Sequence, residues 1–208
     1  MTTDVRPISA PDGIGYDALI FDWDGTLVDS TQVCYVALAR ALRDVGVLLD
    51  PQWYWPKQAI ASPDMLIIWE QEFGRLPEPI SEVIDRCRRY VIEASPDLVV
   101  FDTYAQIARK AHARGQSLAI GSNSADVTVA AGLRETGLDT IFDTAVTWSD
   151  VPPGRGKPAP DIFLLAAERL GIDPRRCLVY EDAVHGVEAA LRAGMTAFNV
   201  QTGKLLQP

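Results

Sequence analysis

Two aspartates one residue apart, Asp22 and Asp24, follow the apolar run Ala18-Leu19-Ile20-Phe21 and precede Gly25-Thr26-Leu27. The run reads as a strand, whose side chains alternate between faces, and the glycine marks a turn at its end. Both acids therefore stand at the carboxyl end of a strand, where open α/β sheets receive their ligands. Carboxylates this close repel, so burying them calls for a shared proton or a cation. A hard, oxygen-seeking ion such as Mg²⁺ suits that donor set. A strand-ending Asp-Gly turn without chemistry accounts for the same residues.

Three later segments repeat the arrangement. Ser117-Leu118-Ala119-Ile120-Gly121-Ser122-Asn123-Ser124 is a second apolar strand ending in small hydroxyl and amide residues before a helical pattern. Ser122 is placed there to donate to a phosphate oxygen, beside the backbone N–H groups of a helix start. Gly154-Arg155-Gly156-Lys157-Pro158-Ala159-Pro160-Asp161 presents Lys157 as a point charge in a proline-rich loop. Cys177-Leu178-Val179-Tyr180-Glu181-Asp182 is a further strand ending in two acids, a second carboxylate supply for a metal. Singly, Ser122-Asn123 reads as helix capping, Lys157 as a solvated loop lysine and Glu181-Asp182 as the cap of the next helix. Together, in this order and each at a strand end or in a loop, they point to one site.

With these motifs the chain resembles the haloacid dehalogenase superfamily of aspartate-dependent phosphohydrolases. The likeness runs from Tyr16 to Gln201 and is strongest toward the sugar-phosphatase and β-phosphoglucomutase branch. It implies a Mg²⁺-dependent phosphatase that acts on a small phosphorylated metabolite, such as a sugar phosphate, through an aspartyl phosphate. Asp22 would be the nucleophile and Asp24 the proton donor and acceptor. Ser122, Asn123 and Lys157 would hold the phosphate. Asp22, Asp24 through its backbone carbonyl, and Asp182 would hold the metal, with Glu181 bound directly or through water. Asp24 sets the chain apart from the dehalogenases themselves, which lack an acid at that position. A sugar phosphomutase is the runner-up. The mutases carry a histidine where this chain has Cys34, and an arginine in the stretch that corresponds to Ala59-Ile60-Ala61-Ser62-Pro63-Asp64. A phospho-acceptor or binding module uses similar residues but has no helical insert after its first acid strand.

The elements that must position these residues are legible in outline. The 208 residues, 48% hydrophobic and 23% charged, allow one domain or a core with a small insert. With 19 Lys and Arg against 28 Asp and Glu, a net charge of −9, the surface does not attract nucleic acid or anionic membrane. No apolar run reaches the length of a membrane span, and residues 1–15 read as a loose polar leader. The scattered Cys34, Cys87 and Cys177 suggest reduced thiols in the cytoplasm. A monomer is the expected state.

Residues 31–96 hold only helical patterns, from Thr31, from about Pro63 to Phe73 and from about Ile80 to Ala94, and read as an all-helical cap. Residues 16–30 and 97–208 alternate strand and helix, which indicates an α/β core with a doubly wound, parallel, Rossmann-like sheet whose last strand spans Thr196 to Val200. The aromatic group Trp53-Tyr54-Trp55 and Trp69 is expected in the core of the cap rather than against a sugar. Arg86, Arg88 and Arg89 are expected on a solvated helix face, and neither His112 nor His185 has the pattern of a ligand.

Overall fold

The structure, a computed structural model, describes residues 10–58 and 60–208. The chain opens with β1 (Ala18–Phe21), the two-residue β2 (Val28–Asp29), and then four helices, α1 (Thr31–Arg43), α2 (Pro51–Tyr54), α3 (Ser62–Phe73) and α4 (Ile80–Glu93). It continues through β3 (Val99–Val100), α5 (Asp102–Ala113), β4 (Ser117–Gly121), α6 (Asp126–Thr136), β5 (Thr144–Val146) and α7 (Asp161–Leu170). It ends with β6 (Cys177–Glu181), α8 (Val184–Arg192), β7 (Thr196–Asn199) and β8 (Lys204–Leu206).

The main sheet runs in the order β5-β4-β1-β6-β7-β8, parallel except for β8. Period-two alternation in β1 builds both layers of the core. Leu19 and Phe21 join Ala105 and Ala108 of α5 and Val129 and Leu133 of α6, while Ala18 and Ile20 join Ile162 and Phe163 of α7 and Ala190 of α8. Helices therefore cover both faces, as expected of a doubly wound sheet. Leu19, Ile20 and Phe21 are wholly buried, a stabilisation of about 1.5–3 kcal/mol each. Central β1 is thus a fully buried support for Asp22.

The residues between β2 and β3 form a separate helical layer. Its own core joins Leu38 and Leu42 of α1, Tyr54, Met65 and Leu66 of α3, and Val83 and Ile84 of α4. The insertion leaves and rejoins the body through the antiparallel pair Val28↔Val100 and Asp29↔Val99. Trp53, Trp55 and Trp69 pack against this core, as the aromatic cluster was expected to do.

Three expectations require correction. The last strand is β8, not the segment at Thr196–Asn199; it pairs antiparallel with β7 as an edge. Residues 10–15, read as leader, are tied down: Tyr180 donates to the Pro11 carbonyl, Arg114 to the Asp12 carbonyl at 2.8 Å and Gln116 to the Gly13 carbonyl at 3.0 Å. Residues 1–9 and Ala59 lie outside the described residues. The arginines of α4 do not share one solvated face. Arg86 pairs with Glu78 at 2.8 Å, Arg88 lines a cavity and only Arg89 is exposed. Among the described residues no helix is long and apolar enough to cross a membrane.

Candidate active site

Register brings the motifs together. Phe21 pairs with Ile120 on one side and with Tyr180 on the other, so one further residue puts Asp22 level with Gly121 and Glu181. The Asp22 N–H continues the ladder to the Tyr180 carbonyl at 2.9 Å. The chain then turns sharply: Leu27 and Val28 both donate to the Trp23 carbonyl at 3.1 Å. Gly25 sits in the turn with φ of +82°, and a Cβ there would lie 2.4 Å from Asp182 Oδ2. Only glycine permits both that backbone and that approach.

Lys157 Nζ lies 2.6 Å from Asp22 Oδ1 and 2.6 Å from Glu181 Oε1, with all three side chains at most 7% exposed. Asn123 fixes the lysine by its backbone. Its Oδ1 accepts from the Lys157 N–H at 2.9 Å and its amide donates to the Lys157 carbonyl at 3.3 Å. The second oxygen of Glu181 accepts from the Ala183 N–H at 2.8 Å. Asp22 Oδ2 is buried with no hydrogen-bond partner. Oxygens of Asp22, Glu181 and Asp182 all fall within 4.8 Å of one another, the kind of donor set a hard divalent ion takes.

One lysine does not balance three carboxylates out of water. Burial pushes Asp22 well above its ordinary range; Lys157 draws it back down, while Glu181, Asp182 and Asp24 push it up again. Burial and the Glu181 charge raise Asp182 to about 7. Burial disfavours the Lys157 cation, yet the Asp22 and Glu181 charges reverse this and hold it protonated. The lysine stays charged, and the surplus negative charge drives Asp22 and Asp182 toward protons in the absence of a second cation.

Asp24 is not part of the carboxylate cluster. Ser30 donates to its Oδ1, and Ser124 donates to its Oδ2 at 2.5 Å. Ser122 is wholly buried with its Oγ 3.4 Å from the same Oδ2, and it accepts from the Ser124 N–H at 3.0 Å. Of the expected phosphate donors, then, Ser122 faces Asp24 and Asn123 holds the Lys157 loop. Ser30 and Ser124, not singled out from the sequence, complete the surroundings of Asp24. The Ser124 position had a signal, being the third small polar residue after β4; Ser30 had only its place before a helix.

Apart from Ser122, which lies behind the surface, these groups line the floor of a cavity of about 650 Å³ that the helical insertion closes from the other side with Tyr54, Gln58, Met65 and Arg88 among others. Cys34 lies in the wall, and burial beside Asp24 raises its thiol well above the usual range. His185 is exposed at the same cavity and is not in the acidic cluster.

A sequence profile of haloacid dehalogenase-like hydrolases matches residues 16–194. The fructose-1-phosphate phosphatase YqaB of Escherichia coli is 31% identical, over 89% of this chain and 97% of its own. Crystal structures of CbbY from Rhodobacter sphaeroides, in complex with phosphate, and of β-phosphoglucomutase from Clostridium difficile superpose with TM-scores of 0.80 and 0.74 at 23% and 21% identity. Each covers 88% of this chain and 84% of the neighbour. The chain belongs to the haloacid dehalogenase-like hydrolases, as an enzyme of their phosphatase branch.

Proposed function

We propose that this enzyme hydrolyses a small phosphorylated metabolite of the sugar-phosphate kind, with Mg²⁺, through an aspartyl phosphate on Asp22. One observation carries the reading: the buried Asp22 has one oxygen on Lys157 and the other without a partner, within reach of two more acids. The E. coli relative's name supplies the sugar-phosphate class by analogy.

The donor set fits a divalent ion, because an orphaned buried carboxylate oxygen and two neighbouring acids are otherwise an uncompensated cost. Asp22 and Asp182 would hold it, and Glu181, whose two oxygens are engaged by Lys157 and Ala183, would act through water. Bound there, Mg²⁺ would offset charge on the site and on the transferring phosphoryl group. A carboxylate oxygen of Asp22 attacks phosphorus, the ester P–O bond breaks, and a proton on Asp24 passes to the departing alkoxide. Water then attacks the acyl phosphate, Asp24 takes up its proton, and the Asp22 carboxylate is restored as inorganic phosphate leaves. Hydroxyls both donate and accept, so Ser30, Ser122 and Ser124 accommodate Asp24 with or without that proton. Lys157 and backbone N–H groups at the start of α6 would hold the equatorial oxygens. Ser122 and Ser124 each join them only by turning the hydroxyl from Asp24.

The helices between residues 31 and 96 act in this reading as a cap that excludes water and bulky substrates. A phosphomutase would use the same floor, but Cys34 stands where the resemblance gives the mutases a histidine and the stretch Ile60-Ala61-Ser62-Pro63-Asp64 lacks their arginine, which supports hydrolysis. The free Cys34, Cys87 and Cys177 support a reducing, cytoplasmic setting, and we take the working unit to be the monomer. The test is Asp22→Asn: phosphate release should fall by at least about a thousandfold with the circular dichroism unchanged, and acid quenching of the wild type should trap phosphate on Asp22. Residual turnover near wild type, or trapped phosphate elsewhere, removes the nucleophile from the scheme.

A further inference from the structure

We propose that Arg88 recognises a second oxyanion on the substrate, a carboxylate or another phosphate, carried at the end remote from the scissile phosphoryl group. The inference rests on the phosphatase reading above and narrows its substrate class. α4 turns Ile84, Cys87, Arg88 and Val91 toward the cavity, the i, i+3, i+4, i+7 face of one helix. Three of these are apolar or weakly polar, so the guanidinium stands on a wall that gives it little. Its partner among the described residues is Asp85 at 3.0 Å, one turn back on the same helix and 56% exposed. A solvent-exposed pair of this spacing is weak and yields the arginine to a ligand.

The other cap cations are already engaged or lie elsewhere. Arg86 is held by Glu78 at 2.8 Å and by Asp44 at 3.9 Å. Lys57 lies over the Trp53 ring and does not line the cavity. Lys157, on the floor, is committed to Asp22 and Glu181. Among the described residues Arg88 is thus the one cavity-lining arginine or lysine whose charge the site itself does not use.

Sign separates the two ends of the cavity. The floor and rim carry Asp22, Asp24, Asp29, Glu181 and Asp182, which repel any anion not held by Lys157 or the metal. The roof carries Arg88 among neutral side chains such as Tyr54, Gln58 and Met65. A substrate with anions at both ends is therefore oriented phosphoryl-down, and a planar guanidinium takes a carboxylate or phosphate through paired N–H donors. A neutral sugar end leaves Arg88 with Asp85 alone and gains nothing from that charge, which ranks such substrates below those with a second anion.

The experiment compares two matched pairs, glycerol 3-phosphate with 3-phosphoglycerate, and fructose 1-phosphate with fructose 1,6-bisphosphate, so that carboxylate and phosphate are read separately. Wild type should favour at least one member with a second anionic group in kcat/KM. Arg88→Gln should lower kcat/KM for that member by roughly 10- to 100-fold, the range of one charge-assisted hydrogen bond, mainly through KM, and leave the member whose only anion is the scissile phosphate unchanged. Arg88→Lys should recover part of the loss, and equal melting temperatures would exclude misfolding. Equal losses on both members, or no preference in wild type, overturn the proposal. If no compound is hydrolysed, the phosphatase reading fails on its own; calorimetric titration of the same pairs into the Asp22→Asn chain, with and without Arg88→Gln, still decides the role of Arg88.

Discussion

Glu181 occupies the space that a side chain at position 186 would need: a Cβ on Gly186 would fall 1.8 Å from Glu181 Oε1. That same oxygen receives Lys157 at 2.6 Å, so a backbone position on α8 sets the charge balance beside Asp22. Gly186→Ala should therefore push Glu181 off the lysine rather than merely stiffen a helix. A loss of about 1–3 kcal/mol in urea unfolding, together with a fall in kcat, is the expected result. Unchanged melting and turnover would show that Glu181 has another place to go.

Lys157→Met keeps much of the side-chain volume and removes the charge from between two buried carboxylates. Breaking one partner of a buried pair costs about 3–5 kcal/mol, and this lysine serves two acids that are each under a tenth exposed. The sign with pH follows. Asp22 has its folded pKa raised above the unfolded value of 3.8, so above pH ~4 the folded chain keeps a proton that the unfolded chain gives up, and stability falls as pH rises. Without Lys157 the fall extends to higher pH. Urea melts near pH 5 and near pH 8 should show a larger deficit against wild type at the higher value; a deficit independent of pH would assign Lys157 a packing role only.

The strands that carry the site were legible because each is a short apolar run closed by Gly or acid, and buried parallel strands have no other way to read. β8 was not, since Lys204-Leu205-Leu206 is short, mostly exposed and joined to one neighbour only. The two-residue β2 and β3 exist only because the chain crosses itself at the root of the insertion, a fact of topology with no local signature. Asp22, Glu181 and Asp182 come together through the register of β1 and β6, which alternation along the sheet foreshadows, while Lys157 is brought in from the loop before α7, held there by Asn123. What Asp24, Ser122 and Asn123 touch depends on how two turns pack face to face, and spacing along the chain does not encode that. Arg88 was misread as solvated for a related reason: the helical period gives a face, but only tertiary packing says which face meets the cavity.

Asp24 is held by three hydroxyls and its side chain stands apart from the cluster of Asp22, Glu181 and Asp182, which fits a carboxyl that carries a proton. Asp24→Ala should lower turnover of alkyl phosphates by about 10²- to 10⁴-fold. With 4-nitrophenyl phosphate the leaving group needs no proton, so the first step should survive while hydrolysis of the phosphoenzyme lacks its base. Rapid-mixing kinetics should then show a burst of nitrophenolate close to one per active site, followed by a slow phase. Loss of the burst itself would mean that Asp24 acts before or during attack in another way.

Adding Mg²⁺ should stabilise the chain more at neutral than at acid pH. Asp182, raised to about 7 by burial and by Glu181, has a proton in the folded metal-free chain between about pH 4 and 7 that the unfolded chain lacks. Proton uptake on folding makes stability fall as pH climbs through that window, and the penalty is complete above it. A divalent cation replaces the proton, so it removes a penalty that exists only at the higher pH and competes with the proton at the lower. Differential scanning fluorimetry with chelator or with Mg²⁺ should give a small shift near pH 5.5 and a clearly larger one near pH 7.5, with chelation also silencing turnover reversibly. An equal shift at both values, or activity that resists chelation, would place the ion away from Asp22 and Asp182.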